Sequence, residues 1–310
     1  MSRGKKIVLG IVGFIAVLTI AAVGIGAKVY MDLSGSVQKT YESVERQLDT
    51  KRKEDQGKVI AEKKPFSVLL LGIDTGDLGR TEVGRSDTMM VAAVNPTLKK
   101  TLIASIARDT YVDIVGKGTK DKINHAYAFG GAGMSMDTVE KYLDIPVDHY
   151  VAINMKGLKE LVDAVGGITV SNDQKFTQDN YTFEYGKIHL DGDQALSFSR
   201  MRHEDPRGDY GRQERQRKIV EGVAKKLLTF DGVTRYKEVL DAMEENVKTD
   251  MSFDDMKKIA ADYRSAFSDI QQDQLQGEGF MQEGISYQRV SETELNRVQT
   301  ELKKILDVNN

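Results

Sequence analysis

The sequence predicts an α/β sandwich preceded by one membrane-spanning helix. Three observations support this fold class. An uncharged apolar run stands near the N-terminus, apolar runs of strand length recur between residues 66 and 106, and amphipathic segments of helical length follow them. Short continuous apolar runs are typical of strands buried on both faces, and strands mixed with helices indicate a sheet covered by helices.

Composition narrows the classes of function. The 310 residues suffice for one large domain or two ordinary ones, and a net charge of −3 gives no global sign of nucleic-acid binding. The chain has no cysteine, which excludes disulfides, thiolate catalysis and cysteine-ligated zinc. Its 4 histidines are scattered. Any chemistry must therefore rely on Asp, Glu, Arg and Lys side chains.

The N-terminus predicts a membrane anchor. Arg3, Lys5 and Lys6 precede the uncharged run 7–27, whose residues would span roughly 30 Å as a helix. Positive residues before the run place residues 1–6 in the cytoplasm and export the rest, as a single-pass protein of the cell membrane with its C-terminal domain extracellular. A cleaved signal peptide is the alternative, but its apolar region is typically only about 7–15 residues long.

The segment 28–64 is polar and highly charged, and it predicts an extracytoplasmic stalk. Val37, Tyr41, Val44 and Leu48 recur at helical spacing, which favours a helical stalk over the alternative of a plain linker. Pro65 ends the segment. Residues 65–310 are then expected to form the extracytoplasmic catalytic domain.

Further elements follow from periodicity and from breaker residues. The apolar runs predict strands at 66–73, 88–94 and 101–106, with shorter strands at 149–153 and 168–170. Helical patterns cover 136–143, 155–165, the region from 193 onward and 214–228. Residues 233–267 predict two more helices, and 274–310 predicts a strand pair followed by a helix.

An acidic pair stands where two predicted strands end or begin. Asp74 and Asp87 bracket a glycine-rich loop of 12 residues. Ligands in open α/β sheets favour strand ends, and a hard cation such as Mg²⁺ relieves the repulsion between two neighbouring carboxylates. Ordinary turn chemistry is the alternative explanation of these residues.

A basic cluster is the second candidate site. Six arginines fall within 18 residues, namely Arg200, Arg202, Arg207, Arg212, Arg215 and Arg217. The planar guanidinium suits phosphate oxygens, and so the arginine bias favours recognition of a phosphate. A salt-bridged helix is the alternative, because Glu204, Asp205, Asp209 and Glu214 are interleaved. Nucleic acid is disfavoured for an exported protein with a negative net charge.

Weaker candidates follow the third apolar run. Arg108 and Asp109 come directly after it, and Lys122, Asn124 and His125 precede a glycine pair. Neither the nucleophile elbow of serine hydrolases nor a P-loop is present, which argues against both classes of enzyme.

Seven segments, in this order, resemble the LytR–CpsA–Psr family. They are LLLGID (69–74), GRSDTMMV (84–91), SIARDTYV (105–112), KINHAYAFGG (122–131), HYVAINMKGLKELVDAVGGI (149–168), LDGDQALSFSRMR (190–202) and DYGRQERQRKIV (209–220). The resemblance covers about 66–228, and the N-terminal anchor also fits. Ala107 stands where the family commonly has proline, which removes no charge.

The resemblance implies a three-layer α/β/α sandwich with a central mixed sheet and a deep apolar pocket for a polyprenyl chain. It also implies a phosphotransferase of Gram-positive envelopes. Such an enzyme moves a glycopolymer (teichoic acid, capsule or another wall polysaccharide) from an undecaprenyl pyrophosphate-type carrier to peptidoglycan.

Site residues carry over from the family's motifs by position. The resemblance implies that Asp74 and Asp87 hold Mg²⁺, with Mn²⁺ as a substitute, and that they act in catalysis with Arg85 and Arg108. The expected pyrophosphate ligands are Arg85, Arg108, Lys122, Arg200, Arg202, Arg212, Arg215 and Gln216.

Two other functions fit the same residues. A phosphatase or pyrophosphatase acting on the lipid carrier would use the same metal and arginines with water as the acceptor. A non-catalytic lipid-binding module that regulates the envelope would need the pocket but not the carboxylates.

Overall fold

The computed structural model describes residues 31–32, 34–36, 38–48, 56–74, 84–229, 236–244 and 246–308. The predicted cytoplasmic tail 1–6 and membrane span 7–27 lie outside the described residues. Within the described ranges, no helix is both long and apolar enough to cross a bilayer.

The described strands, β1 to β14 in chain order, are Phe66–Ile73, Ser86–Asn95, Lys100–Ile106, Tyr111–Ile114, Thr119–Lys122, His149–Asn154, Ile168–Asn172, Phe176–Gln178, Tyr181–Phe183, Gly186–Leu190, Val247–Thr249, Asp269–Gln274, Gly277–Gln282 and Ile285–Val290. The helices, α1 to α8, are Gln56–Val59, His125–Leu143, Met155–Ala164, Gly192–Arg200, Asp209–Thr229, Tyr236–Glu244, Phe253–Asp262 and Glu292–Leu306. A 3₁₀ helix spans Arg264–Phe267.

A six-stranded mixed sheet lies at the centre, in the order β11-β6-β1-β2-β3-β12. The pairs β1/β6 and β3/β12 are parallel, and the pairs β1/β2, β2/β3 and β6/β11 are antiparallel. The predicted α/β fold with a central mixed sheet and helices is confirmed. The polar strand β12 (DIQQDQ) was not predicted, because it lies at the sheet edge and carries no apolar run.

One face of the sheet packs against α2 and α8. Leu69 and Leu71 alternate with Leu70 along β1, so the first two face this layer and the third faces away. Val139 of α2 and Leu302 of α8 are fully buried in the same cluster. Helix α2 begins at His125, earlier than the predicted 136, because Gly130 and Gly131 interrupt its regular dihedrals and hide the helical period.

The opposite face is covered by α5, α7 and the 3₁₀ helix. Leu70 and Met90 of the sheet meet Val220 of α5, and Phe66 meets the buried ring of Tyr263. A further cluster joins α3, α4 and α5 around the buried Phe198. A space therefore lies between the sheet, which forms one wall, and the helices α4 and α5, which form the other wall.

The N-terminal segment 41–48 lies against the domain. Residues 31–32, 34–36 and 38–40 are helical, but the helical spacing predicted through Leu48 is wrong beyond Thr40. Tyr41 bridges to Thr249, and Arg46 pairs with two buried carboxylates, Asp137 at 2.7 Å and Glu140 at 2.9 Å. These buried contacts hold the backbone of residues 41–48 in an extended conformation. They contribute more than the local helical pattern does.

We expect loss of the Arg46 side chain to destabilise the fold strongly. Arg46→Ala leaves Asp137 and Glu140 buried without their cation, which typically costs about 3–5 kcal/mol. Lys39→Ala, which removes a lysine that is 64% exposed and paired with Glu244, is the control and should cost no more than about 1 kcal/mol. Denaturant unfolding measures both, and equal losses would contradict the prediction.

Candidate active site

A cavity of about 430 Å³ lies between the sheet and the helices α3 to α6. This volume falls within the range of small-molecule sites in proteins, roughly 300–1,000 Å³. Its lining residues on α5 run from Arg212 to Leu227, a distance of about 22 Å along the helix axis. The cavity is therefore long, and α5 forms its wall from one end to the other.

The two ends of the cavity differ in chemistry. Most of the wall is apolar, with Met90 from the sheet, Leu161 from α3 and Val223 from α5 among its residues. Its polar lining residues gather at the N-terminal end of α5 and the C-terminal end of α4, and they include Asp87, Thr88, Ser199, Arg200, Arg212 and Gln216. The arrangement suits a ligand with a long apolar part and an anionic group at one end.

The acidic pair lies at one edge of the sheet, where β1 ends and β2 begins. Gly72 pairs with Thr88 and Ile73 pairs with Ser86, so Asp87 has no cross-strand partner and forms a bulge. Bulges redirect a side chain, and this one places Asp87 in the cavity lining. Asp74, the residue that follows β1, is buried and accepts a hydrogen bond from the Arg85 backbone N–H at 2.8 Å.

Asp87 has one oxygen that is paired and one that is not. Its Oδ2 lies 3.0 Å from Nη1 of Arg108, whereas its Oδ1 is buried with no hydrogen-bond partner in the described part of the chain. An unsatisfied carboxylate oxygen at such a position fits a cation ligand. Clusters of three or more His, Asp or Glu side chains suited to a metal are absent from the described ranges, so water and substrate oxygens would have to complete the coordination.

A chain of alternating charges leads away from Asp87. Arg108 approaches Asp109 at 3.7 Å, and Lys122 approaches the other oxygen of Asp109 at 2.6 Å. Burial would lower the pKa of Arg108, but the carboxylates of Asp87 and Asp109 outweigh it and raise that pKa. Arg108 and Lys122 are therefore held as cations beside the edge of the sheet that carries Asp74 and Asp87, which we call the carboxylate edge.

Arg212 lies in an environment rich in positive charge. Burial lowers the pKa of its guanidinium, and Arg108 and Arg202 lower it further, although Asp209 at 2.6 Å opposes them. Its Nε is buried with no hydrogen-bond partner in the described chain. Arginine stays charged in proteins, and the carboxylates of Asp209 and Asp87 offset only part of the charge of these three cations, so the buried Nε of Arg212 suits an anionic ligand.

The other predicted ligands divide into two groups. Arg200 and Gln216 line the cavity, and Nη2 of Arg200 lies 2.9 Å from the sulfur of Met155. Arg85 and Arg202 are exposed near the same end. Arg215 does not line the cavity. It is buried, and it donates to Asp205 at 2.7 Å and to the Met201 carbonyl at 2.6 Å.

Helical geometry accounts for this division. Residues 212, 216, 220, 223 and 227 lie within an arc of about 80° around α5, whereas Arg215 projects about 60° outside that arc, on the side of Arg212. The face could have been identified from the apolar residues of α5. For Arg207, Arg215 and Arg217 the salt-bridge and hydrogen-bond interpretation is correct, since Arg207 pairs with Asp205 and Arg217 donates to Ser105. The bulge at Asp87 leaves no signal in the sequence.

Comparison with known proteins decides the family. A sequence model of the LytR_cpsA_psr family matches residues 28–304. The chain belongs to the LytR–CpsA–Psr family. The match includes all seven sequence motifs. It therefore also includes the residues that these motifs bring to the cavity.

Three relatives of this family member are informative. It is 64% identical over 307 residues, covering 99% of both chains, to the polyisoprenyl-teichoic acid–peptidoglycan teichoic acid transferase TagU of Enterococcus faecalis. A crystal structure from Enterococcus faecalis, described as a transcriptional regulator, has a TM-score of 0.73 at 50% identity and covers 81% of this chain and 90% of its own. A structure of TagT bound to LIIa-WTA has a TM-score of 0.70 at 29% identity and covers 86% of this chain and 100% of its own.

We expect Asp205 to give this LytR–CpsA–Psr protein a pH-dependent part of its stability. Burial would raise the pKa of Asp205, but hydrogen bonds from Arg207 and Arg215 outweigh it and lower the pKa from 3.8 to about 2. A carboxyl with a depressed folded pKa stabilises the fold above its unfolded pKa, and this contribution is lost as the pH falls toward the folded value. The stability advantage of the wild type over Asp205→Asn should therefore shrink as the pH falls below about 4.

Denaturant unfolding at several pH values measures that advantage. Asp113→Asn is the control, because Asp113 is an exposed carboxyl on β4, outside the Asp205–Arg215 pair. A difference between Asp205→Asn and the wild type that stays constant across the acid range would contradict the assignment.

Proposed function

We propose that this protein transfers a teichoic-acid-type glycopolymer from a polyisoprenyl pyrophosphate carrier to peptidoglycan, at the outer face of the cell membrane. The observation that carries the proposal is the polarity of the cavity, which is apolar for most of its length and cationic at one end. The name of the Enterococcus faecalis relative and the ligand of the TagT structure support it.

The apolar part of the cavity suits the isoprenoid chain of the carrier. Transfer of a methylene group out of water contributes about 0.8 kcal/mol, so a chain lying along α5 would gain most of its binding free energy there. A ligand held in this way has its phosphate groups at the Arg212 end. The apolar wall thus positions the pyrophosphate of the carrier beside Asp74 and Asp87.

The polar end supplies charge complementarity for the pyrophosphate. Arg200, Arg212 and Gln216 line the cavity there, and Arg108 is fixed beside them by Asp87. Phosphoryl transfer depends mainly on positioning and on stabilisation of developing negative charge. Exposed Arg85 and Arg202, with Lys122, would contact the phosphate on the glycan side. Arg215 is assigned to holding Asp205 rather than to the ligand.

The carboxylates of Asp74 and Asp87 would hold Mg²⁺, or Mn²⁺ in its place. The buried and unpartnered Oδ1 of Asp87 fits this role. A divalent ion held there would supply charge neutralisation for the pyrophosphate. The residues of the chain do the rest: Asp87 also orients Arg108 through its Oδ2, and the Arg85 backbone N–H fixes the carboxylate of Asp74.

In the proposed reaction a wall-sugar hydroxyl attacks the phosphorus that is bonded to the glycan. A new phosphodiester bond to peptidoglycan forms while the bond to the bridging oxygen breaks, and the proton of the hydroxyl passes to a carboxylate of the site, for which Asp87 lies in the cavity lining. The polyisoprenyl phosphate leaves with the extra negative charge. Arg200 and Arg212, at the mouth of the apolar wall, are placed to hold that leaving group.

We expect transfer to fall by at least about 10²-fold in Asp74→Ala and in Arg200→Ala protein, because each loses a group that stabilises charge in the transition state. Arg264→Ala, an exposed arginine on the 3₁₀ helix, is the matched control and should keep wild-type activity. The assay follows a labelled glycopolymer from its lipid carrier to purified peptidoglycan. Full transfer in both site variants would refute the proposal.

The same assay separates transfer from the two alternatives. Release of label into water, at a rate that peptidoglycan does not raise, would indicate a phosphatase. Full complementation of a deletion by a protein lacking the carboxylates of Asp74 and Asp87 would indicate a binding or regulatory module. The second outcome would fit the description of the 50% identical crystal structure as a transcriptional regulator.

We expect Ala224→Phe to deplete the lipid that copurifies with the protein. Ala224 lines the apolar wall, so a phenyl ring there occupies the path of the chain. Lys225→Phe places the same ring on the exposed side of α5 and is the control. Mass spectrometry should find polyisoprenyl phosphate on the wild type and the control, with less on Ala224→Phe and on Arg200→Ala/Arg202→Ala. Equal amounts on all four would exclude the cavity as the lipid site.

A further inference from the structure

The C-terminal hairpin β13–β14 lies outside the seven motifs, the last of which ends at residue 220, yet it packs against the site. The ring centroid of Tyr287 lies 4.9 Å from that of Tyr111 and 5.6 Å from that of Phe280. Tyr111 pairs with Lys122 across the small sheet β4–β5. Because Tyr287 is buried, its ring forms part of a packed contact between the hairpin and the strand pair that carries Lys122.

The hairpin contacts the side chain of Lys122 itself. The Lys122 Nζ lies over the Tyr287 ring, 5.7 Å from its centroid, and 2.6 Å from Oδ1 of Asp109. A cation within about 6 Å of a ring centroid is attracted by the negative face of the ring. The Lys122 ammonium is therefore held between the carboxylate of Asp109 and an aromatic ring of the hairpin.

The backbone of the hairpin fixes Asp109 as well. The Gln288 backbone N–H donates to the Asp109 carbonyl at 2.9 Å, and Gln288 forms a parallel bridge with Thr110. The carboxylate of Asp109 contacts Arg108 at 3.7 Å in addition to Lys122. The position of Asp109 thus influences where both cations lie.

Tyr210 joins the same hairpin to the first turn of α5. Its hydroxyl donates to the Gly277 carbonyl at 2.8 Å and accepts from the Gly277 backbone N–H at 2.6 Å. Burial raises the pKa of this phenol, so the hydroxyl keeps the proton that it donates. Arg212, two residues farther along α5, lines the cavity. The hairpin therefore contacts both the strand pair that carries Lys122 and the helix that carries Arg212.

We propose that the hairpin β13–β14 holds the two sides of the pyrophosphate site at a fixed separation, with Tyr210 and Tyr287 as positioning residues. The inference rests on the proposed function, in which Lys122 contacts the phosphate on the glycan side and Arg212 holds the leaving phosphate. Phosphoryl transfer depends mainly on positioning, and a displacement of about 1 Å can lower its rate as much as about 10²-fold. A segment without a recognised motif thus sets a spacing on which the reaction depends.

Steady-state kinetics of Tyr210→Phe in the full-length protein tests the link to α5. The change removes the hydroxyl that joins the hairpin to α5 and leaves the lining of the cavity intact. We expect kcat for transfer of a labelled glycopolymer to peptidoglycan to fall about tenfold. The KM for the lipid-linked substrate should change less than about twofold, because the apolar wall that supplies most of the binding free energy is unchanged.

Tyr263→Phe is the matched control. Tyr263 is a buried tyrosine whose hydroxyl likewise donates to a backbone carbonyl, that of Lys64, at 2.8 Å. Its ring packs against Phe66, at the end of β1 opposite to Asp74. This change should destabilise the fold at least as much as Tyr210→Phe, measured by denaturant unfolding, and leave kcat at the wild-type value. Wild-type kcat in Tyr210→Phe, or an equal fall of kcat in the two variants, would overturn the positioning role.

A double-mutant cycle tests whether the Tyr287 ring acts through Lys122. Tyr287→Leu removes the aromatic face and keeps an apolar side chain, and Lys122→Ala removes the ammonium that lies over the ring. We expect Tyr287→Leu to lower kcat about fivefold in the wild-type background and to have no further effect in the Lys122→Ala background. Equal effects of Tyr287→Leu in the two backgrounds would overturn the role of the ring in placing Lys122.

Failure of the inference and failure of the proposed function give different results in these assays. Transfer by the wild type, with wild-type kcat in both Tyr210→Phe and Tyr287→Leu, would overturn the inference alone. Release of the label into water by the wild type, without any transfer to peptidoglycan, would overturn the proposed function and the inference together.

Discussion

The buried ion pair between Asp205 and Arg215 holds together the parts of the chain that form the cationic end of the cavity. Asp205 belongs to the loop that follows α4, and Arg215 belongs to α5. Both side chains are almost completely buried, and the guanidinium also donates to the Met201 carbonyl. Because a buried charge without its partner is strongly unfavourable, the loop is fixed to the helix. Arg200 and Arg202 stand just before this loop, and Arg212 lies one helical turn before Arg215.

The carboxylate edge is built by backbone pairing rather than by charge. Strands β1 and β2 are antiparallel neighbours, so the end of one meets the start of the other, and the bulge between them turns Asp87 toward the cavity. Strand β3 ends beside them, which brings Arg108 to Asp87. Carboxylates that repel one another are thus placed by the sheet, whose stability comes from its apolar faces. A site of this kind holds its charges in place before a ligand arrives, and little reorganisation is needed when the ligand binds.

Sequence reasoning was accurate where burial dominates. The apolar run 66–73 predicts β1 with its observed bounds, because a central strand must be apolar on both faces. It failed where contacts between distant parts of the chain determine the secondary structure. The polar segment β12 is a strand because it pairs with β3 at the edge of the central sheet. In the site, family motifs led to Asp87, Arg200, Arg212 and Gln216, which the cavity brings together. They did not separate Arg215 from these lining residues, since residue type alone does not show which face of a helix meets the cavity.

The extended segment 41–48 has a consequence for where a soluble version of this domain can begin. Its backbone pairs with Thr249, its Glu42 carbonyl accepts from the Tyr150 hydroxyl, and its arginine lies between two acidic side chains of α2. Gly133 lets the segment cross α2 closely, because a Cβ there would lie 2.3 Å from the Glu45 carbonyl oxygen. A fragment that starts after residue 48 would expose the edge of β11 and leave uncompensated acid groups in the interior. The independently folding unit therefore starts before Tyr41, well upstream of the first apolar strand.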